Sequence, residues 1–221
     1  MNVCTWLSRP AALALLILLV PAVAPAADET PEPDADGWYV LFDGKSLDGW
    51  RAAENPESFR VEDGVIVVAG PRAHLFYSGP VEDHDFTNFE LKLEANTEPG
   101  ANSGVYIHTK YQDAGWPDHG YEAQVNNSQG DWRRTGSLYA IEDVRETPVK
   151  DGQWWEYHII VNGKQITLKV DGQTMVDYTE PDDPPQHAGA GRKLSSGTIA
   201  LQAHDPGSVV RYRNIRIKPL K

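Results

Sequence analysis

From Trp38 onward the chain alternates apolar and polar residues with period two through most of its length, the pattern of half-buried β-strands. FELKLEA sets Phe89, Leu91, Leu93 and Ala95 on one face. WWEYHIIV sends Trp155, Tyr157, Ile159 and Val161 inward in the simplest register. VYIH separates Val105 and Ile107 from Tyr106 and His108. FRVEDGVIVV and HIIVNGKQITLKVDGQTMV read as hairpins, with Asp63-Gly64, Asn162-Gly163 and Asp171-Gly172 at the turns. Those pairs tolerate the positive φ angles that tight hairpins need. No amphipathic helical stretch of useful length occurs in this region. Many short strands with frequent turn signals predict an all-β antiparallel sandwich or barrel.

Two strands carry an unusual polar face. GYEAQV puts Glu122 and Gln124 on one side, and IALQAH does the same with Gln202 and His204. A surface strand usually shows Lys, Thr or Ser there, so these rows read as walls of a polar groove. Each strand is entered from a long loop, Tyr111 to Gly120 and Pro181 to Gly197. Loops of this length in a compact domain are functional or disordered.

Composition divides the chain. Its 221 residues, 40% hydrophobic and 24% charged, fit one domain with appendages. Arg9, the run AALALLILLV and small residues up to Ala26 read as a signal peptide over residues 1–26. Residues 27–37 read as a disordered acidic leader, and residues 38–221 as the sandwich. The expected location is periplasmic or secreted, with no membrane contact after cleavage. Cys4 is the only cysteine, so the processed chain has no disulfide and no thiolate metal site. The formal charge of −12 argues against nucleic acid and anionic membranes as partners.

The order of motifs resembles a known family. LFDGKSLDGW, FRVEDGVIVV, FTNFELKLEA, GANSGVYIH, GYEAQV, TGSLY, GQWWEYHIIVNGKQITLKVDGQTMVDY and GTIALQAHDPGSVVRYRNIRI follow one another from Leu41 to Ile217. This arrangement is similar to the DUF1080 family, the 3-keto-disaccharide hydrolase or 3-keto-glucoside lyase/hydratase domain. The resemblance implies a concanavalin A-like jelly-roll sandwich of two antiparallel sheets. It also implies activity on glycosides whose C3 hydroxyl has been oxidised to a ketone. Two positions depart from the family pattern: Trp155 stands where Asn is frequent, and Asp171 where Asn precedes the turn glycine.

Ordinary glycosidases need two carboxylates flanking the scissile bond. Jelly-roll glucanases place them on one strand as E-x-D-x-x-E or close to it, and no strand here does so, leaving only a pairing across strands. EDVRE (Glu142 to Glu146) reads as loop. A 3-keto sugar has a simpler requirement, because the ketone acidifies the hydrogen on C2. One base, one donor for the enolate oxygen and one acid for the leaving oxygen suffice.

His204 and Glu122 are the proton-transfer candidates, in that order. Each also has a plain structural use: His204 bonding Asp205, and Glu122 pairing with a cation across the sheet. Gln124, Gln202, Asn102, Ser103, Tyr106, His108, Tyr139, Trp116 and Trp132 are the substrate-binding candidates. The remaining histidines, His74 and His187 among them, read as structural or exposed. The sequence requires no cofactor; a divalent cation, if one binds, would sit on Glu122 and His204. No G-x-G-x-x-G pattern occurs, so the ketone must come from a separate sugar 3-dehydrogenase. The alternative is a non-catalytic, lectin-like sugar-binding module, because fold alone does not fix function.

Overall fold

The computed structural model describes Met1, residues 30–184 and residues 191–221. The expected signal peptide, apart from Met1, and His187 lie outside the described residues. Thirteen strands are described: β1 (Tyr39–Val40), β2 (Trp50–Ala53), β3 (Phe59–Glu62), β4 (Val65–Ala69), β5 (Ala73–Tyr77), β6 (Phe89–Thr97), β7 (Ser103–Thr109), β8 (Tyr121–Val125), β9 (Trp155–Asn162), β10 (Gln165–Val170), β11 (Gln173–Thr179), β12 (Thr198–Ala203) and β13 (Val209–Pro219). One sheet runs β11-β10-β9-β6-β13-β4-β3, with β1 added beside β13. The other runs β2-β5-β12-β7-β8. Every pairing between these strands is antiparallel. The two sheets pack face to face as the expected jelly-roll sandwich.

Alternation explains the packing. Phe89, Leu91, Leu93 and Ala95 of β6 are buried beside Trp155, Tyr157, Ile159 and Val161 of β9. They meet Leu75, Val105, Ala123 and Leu201 from the second sheet in one continuous core. Trp155 fills its place by packing alone, since its indole N–H has no partner among the described residues. Asp63-Gly64 and Asp171-Gly172 both carry the paired positive φ angles of a type I′ turn. In the third hairpin Asn162 closes β9, and Gly163 at φ 59 opens the turn. In the acidic leader, Asp34 Oδ1 accepts hydrogen bonds from the backbone N–H groups of Asp36 and Trp38, making a local turn.

Alternation fails at His108. Its φ is +51, and the β7–β12 register slips between Thr198 and Ala200. The side chain therefore leaves the face of Tyr106 on which simple alternation places it. Its Nε2 lies 2.8 Å from the carbonyl of Thr87 and its Nδ1 accepts a bond from the Ser195 N–H at 3.2 Å. Burial holds the ring's pKa below its usual value.

Gly120 brings the Tyr111–Gly120 loop onto β8. Its φ is +72, and a Cβ there would lie 1.9 Å from the carbonyl oxygen of Ile107. Gly120→Ala is expected to cost about 3 kcal/mol or more, since backbone cannot move aside as a side chain does. Gly152→Ala, at φ +75 with open space around it, is expected to cost only about 1 kcal/mol. Urea unfolding of both variants checks the difference.

Candidate active site on the outer face of the five-stranded sheet

Register places the two polar strands on one surface. Gln202 of β12 stands opposite His74 of β5, and Ala200 opposite Tyr106 of β7. Tyr106 stands opposite Glu122 of β8, and Gly104 opposite Gln124. The alternate residues Leu75, Leu201, Val105 and Ala123 point into the core, so these polar residues share the outer face. The segment Gly136–Tyr139 runs beside β8, with Tyr139 N donating to the Glu122 carbonyl and Gln124 N to that of Ser137. That lateral pairing sets Tyr139 next to Glu122.

Glu122 is the centre of the surface and is 4% exposed. Tyr106 Oη donates to its Oε2 at 2.9 Å. Gln202 Nε2, two strands away, reaches its Oε1 at 2.9 Å and the Tyr106 oxygen at 3.0 Å. The reach across β7 exists because the intervening residue is glycine. A Cβ on Gly104 would lie 2.3 Å from Glu122 Oε1 and 2.8 Å from its Cγ. Arg192 Nη2 stands 3.9 Å from Glu122 Oε2. Burial raises the Glu122 pKa above the usual carboxylate value, and Arg192, Tyr106, Gln202 and His204 offset only part of that. Tyr106 is pushed well above its ordinary value by burial and then by Glu122, so it remains a neutral donor.

His204 is held from behind. Its Nδ1 lies 2.8 Å from Asp205 Oδ2, which also accepts the Ser208 hydroxyl at 2.8 Å. Burial pushes the Asp205 carboxyl up, but the bonds from His204, Ser208 and the Gly207 N–H outweigh it and leave the pKa lowered. An ionised Asp205 accepts a hydrogen bond from Nδ1–H and leaves Nε2 to meet a ligand. Ser208 Oγ accepts the Asn102 N–H at 2.9 Å, and Asn102 Oδ1 accepts Gln124 Nε2 at 3.0 Å. The plain structural use of His204 and its place in the groove thus coexist.

These residues line a cavity of about 420 Å³. The loop Tyr111 to Gly120 supplies Trp116 and Pro117; Asp131 and Tyr139 come from the loop after β8; Arg192 closes the wall. Arg192 and Asp131 escape sequence reasoning because no motif or strand pattern marks them. Arg192 is 6% exposed yet belongs to a loop whose composition reads as solvated. His74 is buried beside Tyr106 and Trp116, and burial drives its pKa down to about 3.

Besides His108, two expected binding residues sit elsewhere. Ser103 faces the interior, donating to the Gln202 carbonyl at 2.5 Å and meeting Tyr212 Oη at 2.7 Å. Trp132 lies outside the cavity wall, with the guanidinium groups of Arg133 and Arg145 at 4.8 and 4.2 Å from its ring centre. The neighbouring arginines shape their own loop: Arg133 pairs with Asp143, and Arg134 donates to the carbonyls of Gln129 and Asp131.

Gln124 Oε1, Gln202 Oε1 and Arg192 Nη1 are buried without a partner among the described residues. All three belong to cavity-lining side chains. An unmade buried bond costs about 1–3 kcal/mol, so a polar ligand gains by completing them. Among the described residues no three His, Cys, Asp or Glu side chains converge as metal ligands. For the Glu122 and His204 pair, both Glu122 oxygens already accept bonds from the protein.

Known proteins share this fold and much of this sequence. A 3-keto-disaccharide hydrolase of Bacteroides thetaiotaomicron is 38% identical over 235 residues, covering 85% of this chain and 80% of that protein. A solved structure from Parabacteroides distasonis, described provisionally as a glycosyl hydrolase, aligns with a TM-score of 0.72 at 23% identity. It covers 85% of this chain and 95% of its own. A non-specific endo-β-1,3(4)-glucanase of family GH16 shares the fold at a TM-score of 0.52 and 15% identity, covering 84% of this chain and 93% of its own. The 3-keto-alpha-glucoside-1,2-lyase-like domain matches residues 37–218, nearly the whole described region, and the chain belongs to that family.

Proposed function

We propose that this pocket cleaves 3-keto-glycosides by elimination and hydration, with net hydrolysis. The observation that carries the reading is one buried carboxylate of raised pKa and an aspartate-backed histidine sharing one cavity. Asp131, the other carboxylate on the cavity wall, is bound at Oδ1 by the Arg133 N–H and guanidinium. The relative named a 3-keto-disaccharide hydrolase and the lyase named in the family description support the same reading.

Glu122 takes the proton from C2, and its raised pKa makes it a stronger base than an exposed glutamate. The C–H electron pair forms the C2–C3 double bond, and the charge moves to the C3 oxygen. Arg192 Nη1, with no partner among the described residues, is the donor for that oxygen. The enolate then re-forms the ketone and expels the C1 substituent, whose oxygen receives a proton from His204 Nε2. Water adds back across C1 and C2: His204 removes the water proton as oxygen bonds to C1, and Glu122 returns a proton to C2. In the same proposal a separate enzyme oxidises C3 to supply the substrate, and the reaction takes place after export.

Glu122→Gln is expected to lower kcat/KM by about 10²–10⁴-fold whatever the leaving group. His204→Gln is expected to lose as much with a sugar leaving group but much less with 4-nitrophenol, which departs without an acid. Stopped-flow assays on 3-keto-glucosides of both anomers read this, and equal losses on the two leaving groups would overturn the role of His204. Deuterium at C2 is expected to slow release of the leaving group in single turnovers of the parent enzyme; equal rates for the two isotopologues, with the label fully retained, would overturn elimination.

The raised Glu122 pKa sets two signs. Activity falls as pH drops through that pKa, so the acid limb lies at higher pH than an exposed glutamate would give. The folded state holds this proton more tightly than the unfolded chain, so stability declines as pH rises from the ordinary glutamate pKa through the folded one. The Tm of Glu122→Gln, relative to the parent, is expected to rise as pH increases from about 4, the ordinary glutamate range. A constant difference would remove the buried charge from the account.

Gly104→Ala tests the packing behind the chemistry. The new methyl displaces the Glu122 carboxyl from Gln202, with an expected loss of about 100-fold in kcat/KM. Cooperative unfolding should persist, and a crystal structure should show the moved side chain. Parent-like activity would mean that the Glu122–Gln202 contact is not needed.

A further inference from the structure

We infer that Trp116 forms a separate aglycone subsite for a pyranose, or another ring with an apolar face, and that the Glu54–Arg72 ion pair positions it. This rests on reading the cavity as a 3-keto-glycoside site. Trp116 is 45% exposed at the wall of a cavity otherwise lined mainly by polar groups. Large apolar surface left open beside buried polar side chains is a mark of ligand contact. Trp132, the other exposed tryptophan, is flanked by Arg133 and Arg145 and lies off the cavity wall.

The loop holds the Trp116 ring in place before any ligand arrives. Gln112 Nε2 donates to the carbonyls of Ala114 and Trp116 at 2.7 and 2.9 Å, and Gln112 Oε1 accepts the Asp118 N–H at 3.2 Å. Glu54 Oε2 accepts the Gly115 N–H at 3.3 Å and Arg72 Nε at 3.2 Å. Glu54 Oε1 accepts Arg72 Nη2 at 2.6 Å. The Arg72 guanidinium in turn stands 5.2 Å from the centre of the Trp116 ring. Glu54 itself sits at φ +69, a conformation an ordinary residue keeps only when its surroundings fix it. One ion pair thus fixes both the backbone before Trp116 and the indole.

Position names the ligand. The Trp116 ring is 5.3 Å from that of His204, the group assigned to the leaving oxygen. Glu122 is engaged instead by Tyr106, Gln202 and Arg192. A ring attached through the leaving oxygen comes against the indole, and a pyranose offers the indole a face of C–H groups. Binding energy gathered there holds the reacting atoms in register.

The test compares 3-keto-glucosides bearing glucose or methanol as leaving group. The parent is expected to prefer the glucosyl substrate in kcat/KM. Trp116→Ala should cut that preference by about tenfold, and Trp116→Phe should restore most of it. Glu54→Gln should cut it in part, with the loss in KM rather than kcat. Any disturbance of His204 by these changes affects both substrates and leaves the ratio untouched, so an unchanged ratio would overturn the subsite. Calorimetric binding of both compounds, in the Glu122→Gln background, reads the same ratio without turnover. There, loss of the ratio in Trp116→Ala supports the subsite and its survival overturns it. A parent that binds but turns over neither compound defeats the catalytic reading alone.

Discussion

The site depends on keeping a carboxylate in a place that excludes water. Glu122 lies under Tyr106 and Gln202, with Arg192 as its counter-charge. A buried charge is costly unless bonded and paired, and here the bonding must span β8, β7 and β12. That span exists only because Gly104 lacks a side chain. Without the gap the carboxyl would turn away from Gln202 and lose its bonding. The same burial that strains the charged state makes Glu122 a better base, so cost and chemistry share one cause.

Strands alone do not complete the cavity. Their inner faces hold the loops that do. Tyr121 precedes Glu122 and points inward, where its hydroxyl donates to Glu180 at 2.5 Å; Glu180 also accepts the Leu194 N–H at 2.6 Å. His108 accepts the Ser195 N–H, and the Gly120 N–H donates to the Gly191 carbonyl. Arg192 is thereby fixed from both sides in chain order. The departure of His108 from its strand face is thus what frees it to hold this loop.

Period-two patterning made most of this legible. It identifies the faces of β6, β9, β8 and β12, because a half-buried strand shows its packing in its own residues. It also brings Glu122, Gln124, Gln202 and His204 forward, since polar rows of this kind are uncommon on a surface strand. Patterning misleads at His108, whose positive φ takes it off the face of Tyr106. Ser103 has the inward parity of Val105 and turns its hydroxyl to Tyr212 in the core. Trp132 lies beyond the reach of patterning, because an aromatic residue in a polar loop does not reveal which cation it stacks on. Arg192 and Asp131 carry no periodic signal at all.

Local patterning was enough for the all-β class, for the hairpin turns and, His108 apart, for the side of a strand on which a polar residue stands. These are local properties, set by the alternation of side chains and by residues that tolerate positive φ. Strand order is a different matter: folding sets β8 and β12 one strand apart with β7 between them, and brings Gly104 between their polar rows. Strand order joins residues about eighty positions apart, and no local pattern encodes which strand will lie beside which. The raised pKa of Glu122, the pairing of His204 with a lowered Asp205, and the arrival of Arg192 and Trp116 all follow from that order.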